Sequence, residues 1–193
     1  VAGQEAARCR LGVQRRQHGG AADIAHGAGQ QGEAARDAAI TVVCSPNNPT
    51  GWTATPAELQ AILTMTRRHN VWLLSDEVYT RLIYDGREAA PSLLDIAEPG
   101  DKVMVCNSFS KTWIMTGWRL GWLVAPENLV PTIERLAQNL FICPSTVAQH
   151  AALACFEPES LAMYESRRAE FKARRDFFIP QLQALGMNVP VMP

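Results

Sequence analysis

None of the first 39 residues is Phe, Trp or Tyr; every aromatic of the 193-residue chain lies at or beyond Trp52. A stretch without aromatic bulk, broken by Gly19, Gly20, Gly27, Gly29 and Gly32, has little to offset the entropy of ordering its backbone. It is expected to be poorly ordered or only partly helical. Blocks of like charge are also missing, with 18 Lys and Arg against 19 Asp and Glu. That balance excludes nucleic acid or an anionic membrane as the main partner, since both require concentrated positive charge. No run approaches the roughly 18 apolar residues of a membrane-spanning helix, and the N-terminal region has no compact apolar segment of a secretory leader. A cytoplasmic location is therefore expected. Cys9, Cys44, Cys106, Cys143 and Cys155 form an odd set without CxxC spacing, which fits reduced thiols better than a disulfide framework. His18, His26, His69 and His150 have no metal-ligand spacing, so no metal site is expected.

From Ile40 the texture changes. Ile40 to Cys44 is a β-branched run that stops at Ser45-Pro46-Asn47-Asn48-Pro49-Thr50-Gly51, a turn through which neither helix nor central strand can continue. Thr55-Pro56-Ala57-Glu58 has the form of a capping box with Pro at the first helical position, and Leu59, Ile62 and Leu63 give an apolar stripe at helical spacing. That helix is predicted to stop near His69-Asn70. Val71 to Leu74 and Val103 to Cys106 read as further short strands, and Leu120 to Val124, broken by Gly121, as a fourth. Continuous apolar strands separated by helices or loops predict an α/β architecture whose sheet is covered on both faces. The later part reads as helical: Glu127 to about Leu140, Thr146 to about Cys155, and Ser160 to Leu185 with a kink expected at Pro180 and an end at Gly186.

Ligands of open α/β sheets sit beyond the carboxyl ends of strands. Three predicted strand ends carry unusual chemistry: Asn47 to Gly51, Asp76-Glu77-Val78-Tyr79, and Ser108-Phe109-Ser110-Lys111, followed by Arg119 in Met115-Thr116-Gly117-Trp118-Arg119. Taken singly, each has a bland reading. The first is also a plain turn, Asp76 also a helix N-cap, and Lys111 also a solvated surface charge. Trp113, Trp118 and Trp122 read as packing or as walls of a site, and Arg167, Arg168, Lys172, Arg174 and Arg175, interleaved with Glu165, Glu170 and Asp176, as a solvated helix face.

Together the three pieces, in this order and spacing, resemble the class I/II aminotransferase family of pyridoxal phosphate enzymes, from about Ile40 to the C-terminus. The resemblance implies the fold-type-I large domain, a mostly parallel sheet flanked by helices and here incomplete at both ends. It divides the chain into an unassigned Ala/Gly/Arg-rich head (1–39), a partial cofactor domain (40–159), and an interdomain helix with the start of a small domain (160–193). It implies pyridoxal 5'-phosphate as cofactor, amino acid and 2-oxo acid as substrates, and a homodimer. Lys111 would hold the cofactor as an imine and move the substrate's α-proton, and Asp76 would pair with the pyridine nitrogen. Asn48 and Tyr79 would donate to the cofactor's 3-oxygen; Arg119, Ser108 and Ser110 would hold its phosphate. Lyases of the same scaffold and a non-catalytic or truncated aminotransferase-like module remain alternatives.

The composition of the head suggests a stretch unrelated to the fold, such as a frame-shifted start. Family members carry a phosphate-binding loop and a ring-stacking aromatic upstream, and an arginine that clamps the substrate carboxylate downstream. The chain by itself is therefore expected to hold cofactor weakly and to turn over poorly or not at all.

Overall fold

The computed structural model describes residues 39–192, and the expectations for the head up to residue 38, with Cys9, His18 and His26, lie outside them. Four strands form one sheet in sequence order: β1 (Ile40–Cys44), β2 (Trp72–Asp76), β3 (Val103–Ser108) and β4 (Gly121–Val124). The first three are parallel, with Cys44 beside Asp76 and Asp76 beside Cys106. β4 runs antiparallel to β3 and sets Gly121 opposite Ser108. The sheet is thus mostly parallel, as the family resemblance implies.

Between β1 and β2 lies α1 (Pro56–His69), and its boundaries follow from local chemistry. The Thr55 hydroxyl accepts from the Glu58 N–H at 3.2 Å, and the Glu58 carboxylate accepts from the Thr55 N–H at 2.7 Å. This reciprocal cap satisfies two amides that the first helical turn leaves over. At the other end Asn70 takes a left-handed conformation, φ 56°, and ends the helix. The apolar stripe of α1, Leu59, Ile62 and Leu63, packs on Val43, Leu73, Val103 and Val105 of one sheet face.

On the opposite face the described residues leave more of the sheet accessible. Val42 is 55% exposed and its neighbours Leu74 and Met104 are half-buried, so the described residues do not cover this face. Alternation along the strands puts Asp76 and Cys106 on that same open side, two residues on from Leu74 and Met104.

The helical half comprises α2 (Val130–Leu140), α3 (Thr146–Leu153) and α4 (Pro158–Ala184), the first two joined to 3-10 turns at Glu127–Leu129 and Ala154–Phe156. Pro180 lies within α4, which continues past it to Ala184, and Gly186 follows with φ 81°. A second cluster, Trp113, Met115, Leu120, Ala148, Ala152 and Cys155 with Tyr164 against it, joins the segment after β3 to α3 and α4. The four described cysteines are thiols. Among the described residues no helix is long and apolar enough to cross a membrane.

Candidate active site

The turn after β1 is held by its own side chains. Ser45 N–H donates to the Asp76 carbonyl at 3.0 Å, and the Ser45 hydroxyl accepts from Ala54 N–H at 2.9 Å. The Ser45-Pro46 and Asn48-Pro49 peptides are both cis. Asn47 works inside the turn: its side-chain oxygen accepts from the Thr50 N–H at 3.2 Å and the Thr50 hydroxyl at 2.8 Å. Asn48, the next residue, points across the sheet end instead. Its Nδ2 donates to the Tyr79 hydroxyl at 3.0 Å.

β2 delivers the second group. Asp76 is its last residue, and the Val78 N–H donates to Asp76 Oδ1 at 3.3 Å. No helix follows before the 3-10 turn at Leu93–Asp95, so the N-cap reading of Asp76 fails. Glu77, which the sequence reading left without a role, turns to the other side of the chain and is only 4% exposed. Its carboxylate accepts from the Ser75 hydroxyl (2.9 Å), the Ser92 hydroxyl (2.7 Å) and the Leu93 N–H (3.0 Å). Three donors offset the desolvation of a buried carboxylate. The available signal was strand alternation, which puts Glu77 opposite Asp76 and on the side of buried Ser75.

The turn after β3 presents Lys111. The buried Ser108 hydroxyl accepts from the Ser110 N–H at 3.0 Å and donates to the Leu120 carbonyl at 3.3 Å, so its proton serves the turn. The Thr116 hydroxyl donates to the carbonyl of buried Ser110 at 2.8 Å. Lys111 Nζ lies 5.9 Å from the centre of the Tyr79 ring, within reach of a cation–π contact. Arg119 is exposed, with φ 56°, and its Nη1 donates to the Thr116 carbonyl at 2.9 Å. The structure thus joins Asn48, Tyr79 and Lys111 by direct contact. Asp76 ends β2, the strand between those whose following turns carry Asn48 and Lys111, and Ser108, Ser110 and Arg119 lie along the segment that carries Lys111.

Part of the charged stretch on α4 is more than a solvated face. Glu165 pairs with Arg81 at 2.9 Å, and Arg168 Nη1 donates to the Arg87 carbonyl at 2.7 Å, on the segment that follows Tyr79. Burial pulls the Arg81 guanidinium down, but its hydrogen bonds to Glu165 and Glu88 outweigh this and leave its pKa raised. The Arg81 hydrogen bond in turn holds the Glu165 carboxyl below its ordinary range. Burial, reinforced by a hydrogen bond with Cys155, pushes the Tyr164 phenol up to about 12. Lys172 with Asp176 and Arg174 with Glu170 do pair along the exposed helix surface.

The family model for class I and II aminotransferases matches residues 16–193. The chain belongs to this family. The match begins at residue 16, upstream of Ile40 where the motif resemblance begins. Among curated members, the chain is 39% identical over 151 residues to an aspartate aminotransferase of Sulfurisphaera tokodaii, covering 78% of this chain and 37% of that one. It is 40% identical over 147 residues to a valine–pyruvate aminotransferase of Mycobacterium tuberculosis, covering 76% and 37%. The crystal structure of an aminotransferase from Mycobacterium tuberculosis superposes with a TM-score of 0.74 at 37% identity, over 80% of this chain and 39% of that one. The chain therefore has the aminotransferase fold and spans little more than a third of the length of these family members.

Proposed function

We propose that this chain forms the cofactor-holding part of a pyridoxal phosphate-dependent aminotransferase, which moves an amino group between an amino acid and a 2-oxo acid. The observation that carries the reading is the meeting of the Lys111 amine, the Tyr79 ring and the Asn48 amide at the carboxyl end of parallel strands, the middle one of which ends in Asp76. The donor set fits the group: one amine for an aldehyde, one carboxylate for a ring N–H, a phenol and an amide for a phenolate oxygen, and a guanidinium for a phosphate.

Pyridoxal phosphate, when bound, supplies an aldehyde that condenses reversibly with amines and a ring that withdraws electrons from a substrate's α-carbon. The chain's own residues supply the rest. Lys111 Nζ anchors the group and, once released, takes and returns the α-proton. Asp76 keeps the ring nitrogen protonated through its negative charge. Tyr79 already accepts a hydrogen bond from Asn48, which leaves its own O–H to donate toward the cofactor oxygen. Arg119 offers its charge to the phosphate, and Ser108 and Ser110, at the start of the same turn, would donate from their hydroxyls, Ser108 by turning its O–H away from the Leu120 carbonyl.

In this reading residues 40–159 belong to the cofactor domain and 160–193 begin the connection to a second domain. The protein acts in amino acid metabolism in the cytoplasm, where its thiols stay reduced, and works as a homodimer. Product analysis tests the reaction. Protein loaded with pyridoxal phosphate and given an amino acid and a 2-oxo acid should form, if slowly, the amino acid that matches the 2-oxo acid. Release of pyruvate and ammonia would replace transfer with elimination, and no product from any pair together with no uptake of pyridoxal phosphate would contradict the proposal.

A further inference from the structure

Both sides of the Lys111–Tyr79 contact are tied to one guanidinium. Arg81 lies two residues beyond Tyr79, on a loop fastened by hydrogen bonds from Thr80 to the Glu77 carbonyl and from Leu82 to the Tyr79 carbonyl. Its guanidinium also stacks over the ring of Trp113, 5.8 Å from the centroid, and Trp113 lies two residues beyond Lys111. The third tie is α4. Arg81 Nη2 donates to Glu165 Oε1 at 2.9 Å, Nη1 donates to Glu88 Oε1 at 2.8 Å, and Tyr164, next to Glu165, sets its ring edge-on to Trp113 at 5.5 Å. Adjacent residues of one helix thus grip the arginine and the tryptophan that flank the candidate catalytic pair.

We propose that Arg81 is a positioning residue: it holds the Tyr79 loop and the Lys111 turn at a fixed separation and couples both to the placement of α4. The inference rests on Lys111 being the cofactor-holding amine. A guanidinium suits the role, since its planar fork serves two carboxylates while its face stacks on an indole. Arg81 itself need not touch cofactor or substrate.

The test uses the full chain without cofactor and reads the reactivity of the Lys111 amine. Limiting acetylation followed by peptide mass mapping gives the Lys111 rate, with Lys102, whose Nζ donates to the Asn70 carbonyl away from the site, as reference within each sample. Arg81→Gln is expected to raise the Lys111-to-Lys102 ratio by more than about twofold, the least that coupling between touching residues gives. Arg81→Lys, which keeps a cation between Glu165 and Trp113, should bring it part of the way back. A ratio unchanged in Arg81→Gln, or unrescued by lysine, overturns the proposal. Should Arg81→Gln fail to fold, Glu165→Ala decides in the same way, since it removes the acceptor that α4 offers and leaves the guanidinium in place. Retention of pyridoxal phosphate by the wild type, followed by absorbance, is a separate readout. Its absence defeats the functional reading, whereas an unaltered acetylation ratio defeats only the role of Arg81.

Discussion

At the scale of single residues, neighbours in sequence hold opposite duties. Asp76 ends β2 on the open side of the sheet, while Glu77 is buried with three donors around its carboxylate. Glu77→Ala would leave two hydroxyls and one amide without their acceptor. Hydrogen bonds to a charged group contribute about 1.5–3 kcal/mol each, so the substitution should cost at least about 3 kcal/mol, read as a fall in the urea midpoint; a loss under about 1 kcal/mol would contradict this. Asn47 and Asn48 divide their work likewise, the first inside the turn and the second on Tyr79. Asn48, Asp76, Tyr79 and Lys111, the residues proposed to carry the chemistry, stand out in the sequence through a characteristic order of short motifs. Glu77 and Arg81 were not, because their partners, Ser92, Leu93 and Glu165, come from segments that only tertiary folding brings near.

At the scale of elements, the strands and α1 follow from local rules. The capping box of α1 was readable residue by residue, and Thr55→Ala should cost about 1 kcal/mol in chemical denaturation, with little change if Thr55 is replaced by Ser. The 3-10 turns that take over the ends of the predicted helices were not readable, since they depend on how α2 and α3 meet their neighbours. The docking of α4 is electrostatic in part and has a pH signature. Glu165 has a lowered pKa in the folded protein, so its contribution is full above its ordinary value of 4.5 and is lost as pH falls through the folded value. The pair is partly exposed and its contribution is about 0.5–1 kcal/mol. The difference in thermal midpoint between wild type and Glu165→Gln should therefore shrink as pH drops below about 4.5, and a difference independent of pH would refute the assignment.

At the scale of the whole molecule, the sheet and α1 make one packed layer pair, while large apolar side chains remain on the surface. α2 has no buried residue, and Leu140 and Ile142 at its end are 75% and 77% exposed. Under the proposed homodimer these exposed side chains are where we expect the contact. The double substitution Leu140→Glu, Ile142→Glu should abolish self-association in sedimentation while leaving the far-ultraviolet spectrum unchanged; equal self-association by the variant would place the contact elsewhere. What covers the sheet face that the described residues leave accessible was beyond the reach of the strand pattern, because apolar runs report that burial is needed and not which segment provides it. The central claim concerns the amine of Lys111, and borohydride reduction of the protein mixed with pyridoxal phosphate tests it most directly. Peptide mapping should find the reduced cofactor on Lys111 and lose it in Lys111→Ala. Label spread over other lysines, with Lys111 unmodified, would contradict the account.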